Sequence, residues 1–181
     1  MPEHKDLAEH FVSGELVYDG TLLKVRRDVV RLPDGTSGVR EYLRHPGAVA
    51  IVALFDDGSV LLERQFRYPH GREFIELPAG KLDPGEPHAD TAKRELWEET
   101  GYVAAEWRHL GVIHTAIAYT DEAIQLYLAR DLTKTERKLD QGEFLECFSV
   151  PFAQALDMIR DGRITDAKSV AGLLWMDRFG K

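Results

Sequence analysis

Glu95, Glu98 and Glu99 stand at positions i, i+3 and i+4, the spacing that brings side chains to one face of an α-helix. Their carboxylates would emerge within about 100° of one another on the helical wheel. Ala89, Ala92 and Leu96 form a neighbouring apolar stripe, so the acidic face lies beside the buried seam and could open into a cleft where that seam meets a sheet. Most glutamates on a surface helix face water, and for these three alone that is the ordinary reading. Three like charges so close repel one another, however, and a hard, oxygen-seeking cation such as magnesium or manganese would relieve them. Such ions supply what cleavage of a diphosphate needs: charge neutralisation on both phosphates, an in-line water and a competent leaving group.

The surroundings narrow the choice. Gly80, Glu86, Arg94, Glu95, Leu96, Glu98, Glu99 and Gly101 reproduce the Nudix box, in which a glycine, five residues, a glutamate and seven residues precede Arg-Glu-aliphatic-x-Glu-Glu-x-Gly. Ordinary residue frequencies put a chance match on the order of 10⁻⁷ for a chain of this length. Tyr102 stands where an aliphatic residue is commonest, at a packing position. The segment therefore resembles the Nudix hydrolases, which cleave nucleoside diphosphates linked to another moiety. The resemblance implies an α/β fold, an α/β/α sandwich with a mixed sheet, and Mg2+ as cofactor with Mn2+ able to substitute. It makes Glu95, Glu98 and Glu99 metal ligands, with a backbone carbonyl at Ala79 or Gly80 completing the site. Arg94 orients a glutamate through an ion pair, and Glu86 supports the loop or a further metal through water.

Upstream, Glu63-Arg64-Gln65-Phe66-Arg67-Tyr68-Pro69, the segment EFIELPAG from Glu73 to Gly80, and the pair Asp121-Glu122 resemble the ADP-ribose and nucleoside-diphosphate-sugar pyrophosphatase branch of that family. In that branch the N-terminal sheet exchanges with a partner subunit, so a homodimer is expected. Arg67 is the foremost phosphate-binding candidate, because a strand-borne guanidinium can grip a phosphate bidentately; a surface ion pair is the other reading. Glu73 joins the substrate-binding set, as do Arg40 and Tyr18, which could contact phosphate and stack on a base, although structural roles suit these two better. The base that activates water should come from outside the helix, since carboxylates holding metal are poorly basic. The loop at 139–143 supplies Glu143 as first choice, with Glu146 and Glu122 behind it.

Ala116-Ile117-Ala118-Tyr119 replaces the Ser-Pro-Gly-Phe often read in ADP-ribose enzymes. That keeps a nucleotide sugar such as GDP-mannose, and dinucleotides or other nucleotide conjugates, open as substrates. A Nudix-like sensor that binds without turnover would be free to lose a ligand glutamate, whereas all three are intact. An isomerase on this scaffold would need a placed cysteine or acid, and Cys147 reads as a lone strand residue.

The elements that must position these groups are legible in outline. With 181 residues the chain fits one main domain, with a small sheet at 1–45 ahead of a catalytic region at 46–181. Strands punctuated by turns are expected at 14–18, 22–32 and 36–43, a meander with too little core to stand alone. After His45-Pro46-Gly47, the apolar run 48–55 reads as a central strand that Asp56-Asp57-Gly58 folds into a hairpin with 59–66. Further strands are expected at 74–77, 107–114, 123–129 and 144–150, giving a mixed sheet. One helix spans 87–100 and ends at Gly101. A second starts at Pro151 with Phe152, Ala155, Leu156 and Ile159 on its apolar side, and a third follows Thr165-Asp166 with Ala167, Val170, Ala171 and Leu174.

The net charge of −8, from 31 acidic and 23 basic residues, argues against nonspecific binding to nucleic acid or anionic lipid. A single cysteine excludes an intrachain disulfide and a thiolate zinc cluster. No apolar stretch approaches the roughly 20 residues of a membrane span, and the start of the chain is polar and charged. A cytoplasmic protein that keeps its own N-terminus is expected.

Overall fold

The computed structural model of the chain describes residues 6–139 and 142–180. Asp140 and Gln141, in the loop put forward for the base, and the first five residues of the polar N-terminal stretch lie outside the described residues.

The chain forms two compact units, the smaller made of residues up to His45 together with Ala116–Glu122. Its sheet is the expected meander, β1 (His10–Asp19), β2 (Lys24–Arg31) and β3 (Ser37–Arg44), antiparallel in that order. The second turn is set locally: Asp34 accepts hydrogen bonds from the Thr36 amide at 2.9 Å and hydroxyl at 2.6 Å, and Gly35 takes φ 85°. Beyond the expectation, segment 116–122 is bound to β3. The Leu43 amide donates to Tyr119 O at 2.8 Å, the His45 amide to Asp121 Oδ1 at 2.7 Å, and Arg44 pairs with Asp121 at 3.1 Å.

The larger unit holds two sheets. β4 (Ala48–Ala53), β7 (Ala79–Lys81), β8 (Tyr102–His114) and β9 (Ala123–Lys134) form a mixed sheet in the order β7-β4-β9-β8, with β4 parallel to β9 and the other pairs antiparallel. β5 (Ser59–Arg67), β6 (Arg72–Glu76) and β10 (Leu145–Pro151) form an antiparallel sheet with β5 central. The hairpin expected between 48–55 and 59–66 is therefore wrong. β4 is buried along its whole length and both its edges are taken by β7 and β9, so the Asp56-Asp57-Gly58 turn carries the chain from one sheet to the other, leaving only a bridge between Leu54 and Val60.

Period-2 alternation on β4 and β9 supplies a core on each face of the mixed sheet. Val49, Ile51, Ala53, Tyr127 and Ala129 pack with Ala92 and Leu96 of α1 (His88–Thr100). Val52 and Leu128 pack with Leu173 and Met176 of α3 (Ala167–Phe179) and with Ala155 and Met158 of α2 (Phe152–Arg160). Each fully buried leucine or isoleucine contributes about 1.5–3 kcal/mol of hydrophobic stabilisation. The apolar side expected for α3 is corrected in part: Val170 packs on the core, but Ala167 and Leu174 are exposed, and the buried face is Ser169, Gly172, Leu173 and Met176. Two of those four are small or polar because α3 rides close to the backbone: a Cβ at Gly172 would sit 2.7 Å from Leu77 Cδ1, and the Leu77 amide donates to Ser169 Oγ at 2.8 Å. Among the described residues no helix is long and apolar enough to cross a membrane.

Candidate active site

α1 is anchored by its apolar seam and stopped by Gly101 at φ 69°, whose amide closes on Trp97 O at 2.8 Å. With Ala92 and Leu96 fully buried, the i, i+3, i+4 glutamates fall at the margin of that seam, and Glu99 is only 3% exposed. β7 meets them there. The Ala79 amide donates to Glu99 Oε2 at 3.0 Å, and Gly80 passes so close to Glu95 that a Cβ would lie 1.9 Å from its carboxyl carbon. Gly80 is thus a glycine for proximity to the Glu95 carboxylate, and its φ is not in the left-handed region.

Arg94 organises the remainder. Its Nε and Nη2 grip Glu86 at 3.0 and 2.8 Å, while Nη1 donates at 2.9 Å to both Glu95 and Glu98. Glu86 also accepts from the Thr91 hydroxyl at 2.9 Å and the Asp83 amide at 3.3 Å, so it ties the loop before α1 to the helix. Hydrogen bonds from Arg94, foremost, hold its carboxyl down at about 2. Two glutamates on the helix behave oppositely. Desolvation pushes Glu95 up to about 7 and Glu99 well above the usual carboxylate range, with Glu63, Glu95 and Glu143 adding repulsion at Glu99.

A second cluster, unforeseen from the sequence, stands beside the first. Glu63 on β5 and Glu76 on β6 are cross-strand partners, 0% and 2% exposed. Arg67 grips Glu76 with two bonds of 2.7 Å, and Lys168 of α3 bonds Glu76 and, at 3.0 Å, Asp166. Burial alone would raise Glu76, but the bonds and charge of Arg67 and Lys168 outweigh it and leave the group below its ordinary value. Arg67, expected to hold phosphate, spends its fork on this buried carboxylate; the ion-pair alternative is the geometry present. The available sequence signal was an acidic residue closing an apolar run, VLLE at 60–63, which fits a buried strand poorly.

The other expected residues are dispersed. Glu143 is half-buried, and its charge is felt at Glu63, Glu95 and Glu99. Glu146 is exposed and pairs with Arg64 at 2.9 Å, and Glu73 lies 3.9 Å from the same arginine. Glu122 faces His45 at 3.4 Å within the smaller unit. Arg40 is ion-paired with Glu9, and Tyr18 is exposed on β1.

Among the described residues no three acidic, His or Cys side chains are already converged as metal ligands, because Arg94 Nη1 draws Glu95 and Glu98 together instead. The donor set nonetheless fits a hard divalent ion. Its oxygens are carboxylates, those of Glu95 and Glu99 raised first by burial and then by neighbouring acids, and it adjoins Glu63, whose two buried oxygens meet no donor among the described residues.

Residues 44–173 match the NUDIX domain, and residues 9–43 match the nucleoside diphosphate sugar hydrolase N-terminal domain. The chain is similar to an ADP-ribose pyrophosphatase of Bacillus subtilis (strain 168), 36% identical over 95% of this chain and 94% of that protein. It is also similar to a GDP-mannose pyrophosphatase of Klebsiella pneumoniae, 31% identical over 97% of this chain and 90% of that one. A crystal structure titled ADP compounds hydrolase shares the fold, with a TM-score of 0.85 and 24% identity over 97% of this chain and 96% of the other.

Proposed function

The chain belongs to the Nudix hydrolase family, and on that premise we propose that it hydrolyses the diphosphate bond of ADP-ribose or a related nucleoside diphosphate sugar, releasing a nucleoside monophosphate and a sugar phosphate. The observation that carries this reading is the gathering of Glu95, Glu98 and Glu99 around β7 and Arg94. Glu95, Glu98, Glu99 and the Ala79 carbonyl would hold Mg2+, for which Mn2+ can substitute. The ion supplies charge neutralisation at the phosphates and a more acidic bound water.

This chain's own residues do the rest. Glu143, whose charge is felt at Glu63, Glu95 and Glu99, accepts the proton of the attacking water at its carboxylate. Arg94 keeps Glu86 and the helix glutamates in register. Arg67, oriented by Glu76, offers the outer edge of its guanidinium to a phosphate; its side chain is 40% exposed. Glu122, Arg40, Tyr18 and Glu73 are secondary candidates. The reading of a homodimer is supported by β1, which is exposed throughout and carries Phe11, Val12, Leu16, Val17 and Tyr18, the kind of apolar strand that a second chain can cover. The lone cysteine suits the cytoplasm.

GDP-mannose is the second substrate reading, favoured by Ile117 in place of the proline of many ADP-ribose enzymes and by the Klebsiella relative. The deciding experiment incubates the protein and Mg2+ with ADP-ribose, GDP-mannose, other nucleotide sugars, dinucleoside polyphosphates and NADH, following nucleoside monophosphate. Preference for ADP-ribose or a nucleotide sugar is expected. Tight binding of any of these without turnover would refute hydrolysis and leave a sensor.

A further inference from the structure

Glu63 is 0% exposed, and neither of its carboxylate oxygens has a hydrogen-bond partner among the described residues. It occupies the central strand of its sheet, between Cys147 on β10 and Glu76 on β6. Leu61, two residues earlier on the same face, packs with Ala92 and Leu96 of α1, so Glu63 faces the interior that α1 also borders. Its cross-strand partner Cys147 donates from Sγ to Glu99 O at 3.5 Å, which sets Glu63 beside the last turn of α1; Glu99 feels the Glu63 charge, and both feel that of Glu143.

The neighbouring cations are committed elsewhere. Arg67 gives its fork to Glu76, and Lys168 is held by Glu76 and Asp166. A buried carboxylate with no donor is among the costliest groups a core can hold. Desolvation raises Glu63 to about 8, yet protonation still leaves two polar oxygens unsatisfied where a leucine would pack without penalty. A second carboxylate alongside worsens the balance. A hard cation between them removes both penalties, since each oxygen then gains a partner and the like charges are bridged.

We propose that Glu63 is a further carboxylate ligand of this protein: together with Glu99 it forms an inner divalent-cation position on the sheet side of α1, added to the positions offered by the helix glutamates. This rests on the reading that the α1 glutamates hold divalent cations. It extends the ligand set to a strand outside the Nudix box and explains why an apolar strand run ends in a glutamate.

The test is Mn2+ binding without substrate, followed by electron paramagnetic resonance and calorimetry, on the full chain and on Glu63→Gln, Glu63→Leu and Glu99→Gln. Glu63→Gln is expected to lose one bound Mn2+ or to weaken one site at least about tenfold, the scale on which altered metal sites respond. Glu63→Leu is expected to melt higher than the wild type in chelator and to lose part of the rise in Tm that Mn2+ confers; the melt also verifies that the variant is folded. Unchanged stoichiometry and affinity in both Glu63 variants, with binding lost in Glu99→Gln, would overturn the inner position and leave the helix site standing. Unchanged binding in all three variants would overturn the cation reading itself, and the inner position with it.

Discussion

Replacing Gly80 by alanine adds one methyl group at the point where β7 crosses the acidic face of α1. An ideal Cβ there lies 1.9 Å from Glu95 Cδ and 2.0 and 2.3 Å from its two oxygens. Carbon atoms in contact prefer about 3.5 Å, so the carboxylate must retreat by roughly 1.5 Å. The fold tolerates this. Gly80 has no positive φ, and the obstructing group is the end of a flexible side chain. An off-rotamer Glu95 costs about 0.5–1.5 kcal/mol, which the reduced entropy of the unfolded chain offsets by about 0.4–1 kcal/mol. The net change is within about 1 kcal/mol, a Tm shift of at most about 4 °C. Function responds differently, because misplacing a reacting or positioning group by about 1 Å costs on the order of 10²-fold in rate, or about 2.7 kcal/mol of barrier. The assay is kcat for ADP-ribose or GDP-mannose with saturating Mg2+, alongside a thermal melt. Gly58→Ala is the control: its φ of 80° strains an alanine, but nothing lies within 4 Å of the added methyl, so it should lose about 1 kcal/mol of stability and no activity. Wild-type kcat in a folded Gly80→Ala protein would refute the placement of Glu95 in the reaction.

The remaining predictions concern the buried acids and the base. Lys168→Met removes one of two cations from Glu76, whose side chain is 2% exposed, and should cost about 3 kcal/mol; chemical denaturation showing a loss under 1 kcal/mol would mean that Arg67 alone satisfies Glu76. Glu143→Gln should lower kcat by about 10²–10³-fold while calorimetry finds Mn2+ affinity unchanged, and an undiminished rate would move the role to Glu122 or Glu146.

Features carried by short sequence separations were legible before any coordinates. The acidic face of α1 follows from spacing of three and four residues, its stop from Gly101, and the N-terminal meander from two turns with their own hydrogen-bonding residues. The departures arose where tertiary context overruled the local pattern. The turn at Asp56-Asp57-Gly58 has hairpin chemistry, yet the partners of β4 come from residues about 30 and 75 positions away, which pairing across a turn does not anticipate. The buried side of α3 departs from the expected one at Ala167 and Leu174 because close approach to Leu77 requires Gly172 and Ser169, residues that carry no hydrophobic signal.

The residues of the Nudix box, and with them the reaction class, were determined by the sequence alone, since a helix converts residue spacing directly into a shared face. Only the tertiary structure decided what surrounds that face. Glu63, Glu76 and Lys168 come from two strands and a helix, and no spacing rule joins them in sequence. Their burial, and the lack of a donor at Glu63, exist only once two sheets and α3 close over them, because desolvation belongs to the assembled environment and to no residue by itself.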